Sequence, residues 1–272
     1  MGTAQLDSDR AGFDKWQMYK LIRGESIGPC LIPKTNQLNA RNLNRYLDEF
    51  QRVYVKPVGT WGGVNISVVE RDDTSIVWTV QGKSPAPAKL DEILHHYDGI
   101  PTIVQQAIPA LLYRECPFDI RVHMQRDLDE NWVYAGELVR VGGQGIVSNV
   151  EISSGKVLPM SSVVDELLSI DKVQFEVLRR NLTEIGFGVC KLLNPYSHIE
   201  EVGIDLALDA SQQFWLIEVN TNDALGAPSH ELFRQLPNQT IYEEIRQRAI
   251  ARNMNMLQLL FDLLTENAEE QN

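Results

Sequence analysis

Asp205, Glu218 and Asn220 are the residues of this 272-residue chain whose types and spacing could do chemistry together. They lie in the stretch from Gly203 to Asn220, which reads as two short strands joined by a polar turn. Ile204, Leu206 and Leu208 alternate with Asp205, Ala207 and Asp209, and Phe214 to Asn220 is a second extended run. Glu218 and Asn220 are two residues apart, so the period of a strand puts both on one face. With Ala210 to Gln213 as a four-residue loop, Asp209 opposes Phe214 and the ladder brings Asp205 opposite Glu218. Like charges placed there destabilise a sheet unless a cation or a proton intervenes. Two carboxylates and an amide carbonyl are hard oxygen donors of the kind that hold magnesium, which fills its octahedron with water and phosphate oxygens. A Mg-nucleotide site is one reading, and an edge hairpin whose acidic face sits in water is the other. The choice depends on whether the chain also supplies phosphate-binding groups.

Candidates for that role precede the hairpin. Val53 to Pro57 reads as a strand carrying Lys56, followed by Gly59-Thr60-Trp61-Gly62-Gly63 and a further strand from Val64 to Glu70. Glycine lets backbone N–H groups approach an anion, and a lysine at a strand end is a mobile point charge. The loop matches neither GxxxxGK[ST] nor GxGxxG, and a Gly-rich hairpin can equally be structural. Phe118 to Gln125 alternates, placing Asp119, Arg121 and His123 in one polar row opposite Phe118, Ile120, Val122 and Met124. Arg121 can bind a phosphate or carboxylate in bidentate fashion, or pair internally with Asp119 or an acid on a neighbouring strand. Trp132 to Val141 is a strand ending near Arg140; Gly142 to Gly145 and Ser148-Asn149 follow, rich in donors for an oxyanion. Gln105 and Gln106 lie in an extended apolar segment, Thr102 to Ile108, that could link two lobes and read an adenine edge. His95 and His96 are adjacent on a helix, share no face, and read as solvated.

The elements around these groups alternate between helix and strand. Asp14 caps a helix through Ile22, Asn39 a second through Phe50, and Asp171 a long one to about Leu193 with Leu178, Leu182, Ile185, Val189 and Leu192 as its core stripe. Thr221 to Pro237 is loop and short helix, and Thr240 to about Leu264 is a terminal helix with Met254 and Met256 as packing filler. The net charge of −12 argues against nucleic acid or an anionic membrane surface as the main partner. Up to Thr60, however, nine Lys or Arg face six Asp or Glu, which suits an early segment that meets phosphates. Cys30, Cys116 and Cys190 are far apart and odd in number, without a CxxC, as expected of a reducing cytoplasm. No apolar run approaches a membrane span and no signal peptide opens the chain, so a soluble intracellular protein is expected.

Taken in order, Asp14-Lys15, Val55-Lys56-Pro57 with its Gly-rich loop, Val104-Gln105-Gln106, Phe118 to Val122, Arg140 with Ser148-Asn149, Gly203-Ile204-Asp205 and Glu218-Val219-Asn220 resemble the ATP-grasp superfamily. The resemblance is to the spore-coat-associated YheC/YheD type and, more distantly, to ribosomal-protein glutamate ligases. It runs from about Phe13 to Asn255. It implies an α+β ATP-grasp fold of two lobes clasping a nucleotide: a flexible arm over 1–12, a first lobe over 13–104, a second over 105–265 and a frayed tail over 266–272. It further implies ATP phosphates at Lys15 and Lys56 under a loop containing Gly59, Gly62 and Gly63, adenine bordered by Gln105 and Gln106, and Mg2+ at Asp205, Glu218 and Asn220. Arg121, Arg140 and Asn149 match positions that engage the γ-phosphate or an acceptor carboxylate. The implied reaction is ATP-dependent joining of a small-molecule or peptide carboxylate to an amine through an acylphosphate, in a cytoplasmic or spore-associated protein with no nucleic-acid or membrane partner. A phosphotransferase and a non-catalytic ATP-binding structural protein of the spore are the alternatives. Two departures stand out. Trp61 replaces the usual Ser, with no Lys or Arg near Gly63. The domain that precedes the grasp in most such ligases is expected to be absent, its place taken by a partner subunit, a second copy or a carrier-like substrate.

Overall fold

The computed structural model describes residues 14–60, 63–72, 74–143, 145–196, 199–221 and 229–269. The elements begin with α1 (Lys15–Ile22), β1 (Cys30–Leu31), β2 (Thr35–Gln37), α2 (Ala40–Phe50), β3 (Arg52–Pro57), β4 (Ser67–Arg71), β5 (Ile76–Val80), β6 (Ala86–Pro87), α3 (Leu90–His96) and β7 (Thr102–Gln106). They continue with β8 (Leu112–Tyr113), β9 (Cys116–Arg126), β10 (Trp132–Val141), α4 (Val150–Ser153), β11 (Lys156–Leu158), α5 (Met160–Leu168) and α6 (Lys172–Leu193). The hairpin β12 (Glu201–Leu208) and β13 (Phe214–Thr221), a 3-10 helix (Ser229–Gln235) and α7 (Thr240–Glu269) complete the described chain.

Local chemistry starts the helices where the sequence places them. The Asp14 carboxylate accepts from the Gln17 amide at 2.7 Å, and the Asn39 side chain accepts from the Asn42 amide at 2.8 Å. Asp171 and Gln174 form a reciprocal capping box at the head of α6.

Two sheets result. The smaller, in the order β2-β7-β3-β4-β5-β6, is antiparallel throughout and packs Val53, Val55, Val69 and Val104 against Leu43 and Leu47 of α2 and Ile93 of α3. The larger runs β1-β13-β12-β9-β10-β11, with β8 added to β9. On one face of it, Ile120, Val122, Val202 and Ile204 meet the α6 stripe of Leu178, Leu182, Ile185 and Val189. On the other, Ala135 and Leu138 lie under Phe233 of the 3-10 helix and Ile245 of α7.

The lobes interleave in sequence. Met18 and Ile22 of α1 join the larger core, and β1 pairs parallel with β13, so the start of the expected first lobe belongs with the second. Gln105 and Gln106, expected to open the second lobe, are in β7 of the smaller sheet. The strand expected from Val64 joins the ladder only at Ser67, because Gly63 and Asn65 take left-handed backbone angles of +88° and +57°. His96 is half-buried rather than solvated: its Nε2 lies 2.8 Å from the Asn65 side chain and its ring meets Trp78 edge-on.

α7 extends to Glu269, past the expected end at Leu264 and into the segment expected to fray. Arg252 ties it to the Asp127 carbonyl and to Glu200. Beyond that anchor Met254, Met256, Leu260 and Leu264 are 66%, 50%, 51% and 70% exposed, so the expected packing role fails there. The arm over 1–12 lies outside the described residues.

Candidate functional site

The hairpin delivers the expected pairing by a different route. Leu208, not Asp209, opposes Phe214, and the turn spans Asp209 to Gln213. Asp209 organises that turn by accepting from the Ser211 and Gln213 amides, both at 2.9 Å, and from the Trp215 indole at 2.8 Å. The offset is cancelled where the register shifts between Asp205 and Leu206, so that Asp205 stands opposite Glu218 and Gly203 opposite Asn220. Asn220 Nδ2 donates to Asp205 Oδ2 at 3.1 Å.

The lysines arrive from the other side of a cleft. Lys15, in the first turn of α1, places Nζ 3.2 Å from Glu218 Oε1 and also donates to the Thr60 carbonyl, linking helix, loop and hairpin. Lys56 on β3 is buried and donates to Gln105 Oε1 at 2.6 Å, while Gln105 Nε2 donates to Thr35 at 2.9 Å. Burial lowers the Lys56 pKa to about 8 against the opposing pull of Glu218. Lys15, Lys56, Gln105 and Glu218 line an open cleft between the sheets, whose other walls are largely apolar: Met18, Ile22, Ile32, Ile103, Leu216 and Val219. A flat base could lie among these with phosphates toward the lysines. Gln106 does not line the cleft; its Oε1 accepts from the Lys34 amide at 3.1 Å. Gly59 is in the turn after β3, and Gly63 approaches Val147 so closely that a Cβ would lie 3.1 Å from a methyl group. Trp61 and Gly62 lie outside the described residues.

The polar row of β9 is buried, and its Arg121 and the neighbouring Arg140 of β10 are held by acids. Arg121 grips both oxygens of Asp205, its Nη2 donating at 3.1 Å, and Gly203 is the reason it can: a Cβ there would lie 2.7 Å from the guanidinium. Arg140 bridges Asp119, with both contacts at 2.8 Å, and Asp205 at 2.7 Å. Ser148 donates to Asp119 as well. Burial raises the Asp119 carboxyl and Arg140 only partly offsets this; burial would also raise Asp205, but Arg121 and Arg140 together hold it below the usual range. The Gly142 and Gly143 amides donate to the Pro117 carbonyl and to Ser153, and the Ile146 amide donates to Gln81, so these three N–H groups are already engaged within the protein. Asn149 contributes its carbonyl to the start of α4, accepting from the Ser153 amide at 3.1 Å.

The donor set at Asp205, Glu218 and Asn220 fits magnesium in kind, since all three carry hard oxygens on one patch, although Arg121 and Arg140 hold those of Asp205. The surroundings set a condition. Among the described residues, Lys15, Lys56, Arg121 and Arg140 face Asp119, Asp205 and Glu218, one cation more than the acids. A bare dication is poorly served by that balance, whereas a dication carried on a tri- or tetra-anionic nucleotide completes it.

Sequence reading missed Asp119 as the shared acid of Arg140, and it missed a second buried cluster on the same sheet face, His123, Glu201 and His230. The alternation that placed His123 in the Arg121 row was a usable signal for one member. Nothing in the sequence announces that the 3-10 helix returns His230 to that row.

Comparison with known proteins supplies the remaining observations. The profile described as YheC/D-like ATP-grasp matches residues 7–253. The endospore coat-associated protein YheD of Bacillus subtilis (strain 168) is 22% identical over 232 residues, covering 80% of this chain and 50% of the relative. The chain thus spans about half the length of that curated protein. Among solved structures, the ADP complex of the N5-carboxyaminoimidazole ribonucleotide synthetase purK superposes with a TM-score of 0.54 at 9% identity, covering 86% of this chain and 50% of that one. The ATP-grasp ligase PsnB with its minimal precursor gives 0.49 at 12% identity, covering 90% and 62%. At such identities the first of these likenesses is one of fold.

Proposed function

Since the chain belongs to the YheC/D-like ATP-grasp family, we propose that it binds MgATP in the cleft between its sheets and uses it to join a carboxylate to an amine. The observation that carries this reading is the convergence of Lys15 and Lys56 on Glu218 beside a largely apolar cleft. Asp205, Glu218 and Asn220 would hold magnesium, which when bound neutralises charge on the phosphoryl group being transferred.

The residues of the chain do the rest. Lys15 and Lys56 bind the phosphate oxygens and orient the chain of phosphates along the cleft, and the apolar wall excludes water from the base. In the first step an oxygen of the substrate carboxylate attacks the γ-phosphorus, the bond to the β–γ bridging oxygen breaks, and ADP leaves. In the second the amine nitrogen attacks the acyl carbon, the carbon–oxygen bond to phosphate breaks, and inorganic phosphate and a proton depart. Activation is needed because a carboxylate oxygen is otherwise a poor leaving group. Arg121 and Arg140 assist only if an incoming anion competes with Asp205 and Asp119 for their guanidinium groups.

That competition favours a second reading, a protein of the same family that binds the nucleotide without turning it over. Release of ADP by the full chain, measured against a panel of carboxylates and amines with product masses recorded, separates the two. Ligase chemistry gives ADP and a condensed product in wild type and neither in Glu218→Gln. MgATP binding with no ADP from any pool supports the second reading, and a stable phosphorylated acceptor without amide indicates a phosphotransferase.

A further inference from the structure

We propose that the chain carries a second metal site, of the class that takes Zn2+, formed by His123 of β9, Glu201 of β12 and His230 of the 3-10 helix. The three residues come from elements far apart in sequence and are almost wholly buried, at 0%, 5% and 5% exposure. Their ligand atoms all lie within 4.8 Å of one another. Glu201 Oε2 is 3.0 Å from His230 Nδ1 and 3.6 Å from His123 Nε2. With zinc–ligand bonds of about 2.0–2.1 Å, neighbouring ligand atoms of a tetrahedron stand roughly 3.3 Å apart. The two separations bracket that edge.

The groups behind the ligands suit the same role. Gln125 Nε2 donates to the other Glu201 oxygen at 3.0 Å and so fixes the carboxylate. Glu231 lies 3.9 Å from His230 Nε2, the ring nitrogen that faces away from the site, beyond hydrogen-bond distance but close enough to place negative charge behind that imidazole. Of the nearby cations, Arg121 is engaged by Asp205, and Arg248 by Glu244 at 3.6 Å and Gln125 at 3.4 Å. A dication here replaces the proton between His230 and Glu201 and fastens the 3-10 helix to the sheet; water takes the fourth position.

This site does not depend on the proposed activity. Glu201 and Asp205 are four residues apart on one face of β12, roughly 13 Å at the rise of a strand. The donors also differ, imidazoles here and oxygens there, which gives a chemical handle on each.

The test is cobalt(II) titration of the chelator-treated full chain, followed by zinc competition. The expected result is intense visible d–d absorption saturating at one equivalent, displaced by zinc and unaffected by excess magnesium. His230→Ala should weaken zinc binding by more than ~100-fold and Glu231→Gln by about 10-fold, in line with loss of an inner and an outer partner. Glu218→Gln should leave the signal intact while removing nucleotide-linked magnesium. Wild type without a stoichiometric cobalt band overturns the site and leaves a hydrogen-bonded clasp of the same residues. A band that survives in folded His230→Ala, or that disappears in Glu218→Gln, overturns it equally. The wild-type spectrum and Glu231→Gln keep the test decisive if His230→Ala does not fold.

Discussion

Lys15 Nζ and Glu218 Oε1 lie 3.2 Å apart, although one residue opens the first described helix and the other sits on the last strand of the larger sheet. That contact closes the cleft at the point where a phosphate chain would meet its metal. Among the described residues there, the cations outnumber the carboxylates by one.

Magnesium should therefore bind with the nucleotide and not ahead of it. In a thermal-shift assay Mg2+ alone is expected to leave the melting temperature unchanged, while MgADP at about a hundredfold excess over its Kd raises it by roughly 5 °C or more. Equal stabilisation by Mg2+ alone would mean that the charge balance around Glu218 has been misjudged.

Lys56 gives the nucleotide site a pH dependence. Its free-protein pKa of about 8 is depressed mainly by burial, and a bound polyphosphate favours the charged form and raises it. Affinity is then constant below pH 8 and falls as pH rises above it, by up to about tenfold per unit until the bound-state pKa is reached. Calorimetric titration with ADP from pH 7 to 9.5 reads this directly. A Lys56→Met protein should show weaker binding and no such slope.

The network of Asp119, Arg140, Asp205 and Arg121 should be costly to break and cheap to replace. Arg140→Leu leaves Asp119 buried without its guanidinium, for an expected loss of about 3–5 kcal/mol in urea denaturation. Combining it with Asp119→Leu should recover a large part of that loss. Losses under about 1 kcal/mol for the single variant would show that water or the remaining partners compensate.

His123 makes the metal-free fold acid-sensitive. Its pKa is about 4 in the folded protein, against roughly 6.5 unfolded, so the unfolded state binds more protons between those values. Stability is then fully present above pH 6.5 and is lost as pH falls toward 4, by on the order of 3 kcal/mol. Chemical denaturation in the presence of chelator should show this slope, and His123→Gln should flatten it.

How much of this the sequence discloses depends on whether the determining contacts are local. Asp14, Asn39 and Asp171 cap their helices as read, because a cap is settled within three residues. Asp205 and Glu218 oppose each other as read, yet only because an irregularity in the ladder undoes a one-residue difference at the turn, which alternation alone does not reveal. For Arg121 and Arg140 the sequence leaves both phosphate and internal acid as partners, and burial of the whole row decides for the acid in the structure. The parallel contact of β1 with β13 and the return of His230 beneath α7 depend on residues distant in the chain. The apolar spacing of α7 continues past Arg252 as if it were core, but spacing records a face and not what covers it.

If Lys15, Lys56 and Glu218 form one MgATP site, equilibrium titration of MgATP into wild type and into Lys15→Met, Lys56→Met and Glu218→Gln will reveal it. Binding in wild type should be saturable and one-to-one, weakened about 10- to 100-fold in each lysine variant as a charge-assisted contact is lost. In Glu218→Gln the affinity should no longer respond to magnesium. Wild-type affinity and undiminished magnesium dependence in all three folded variants would contradict it.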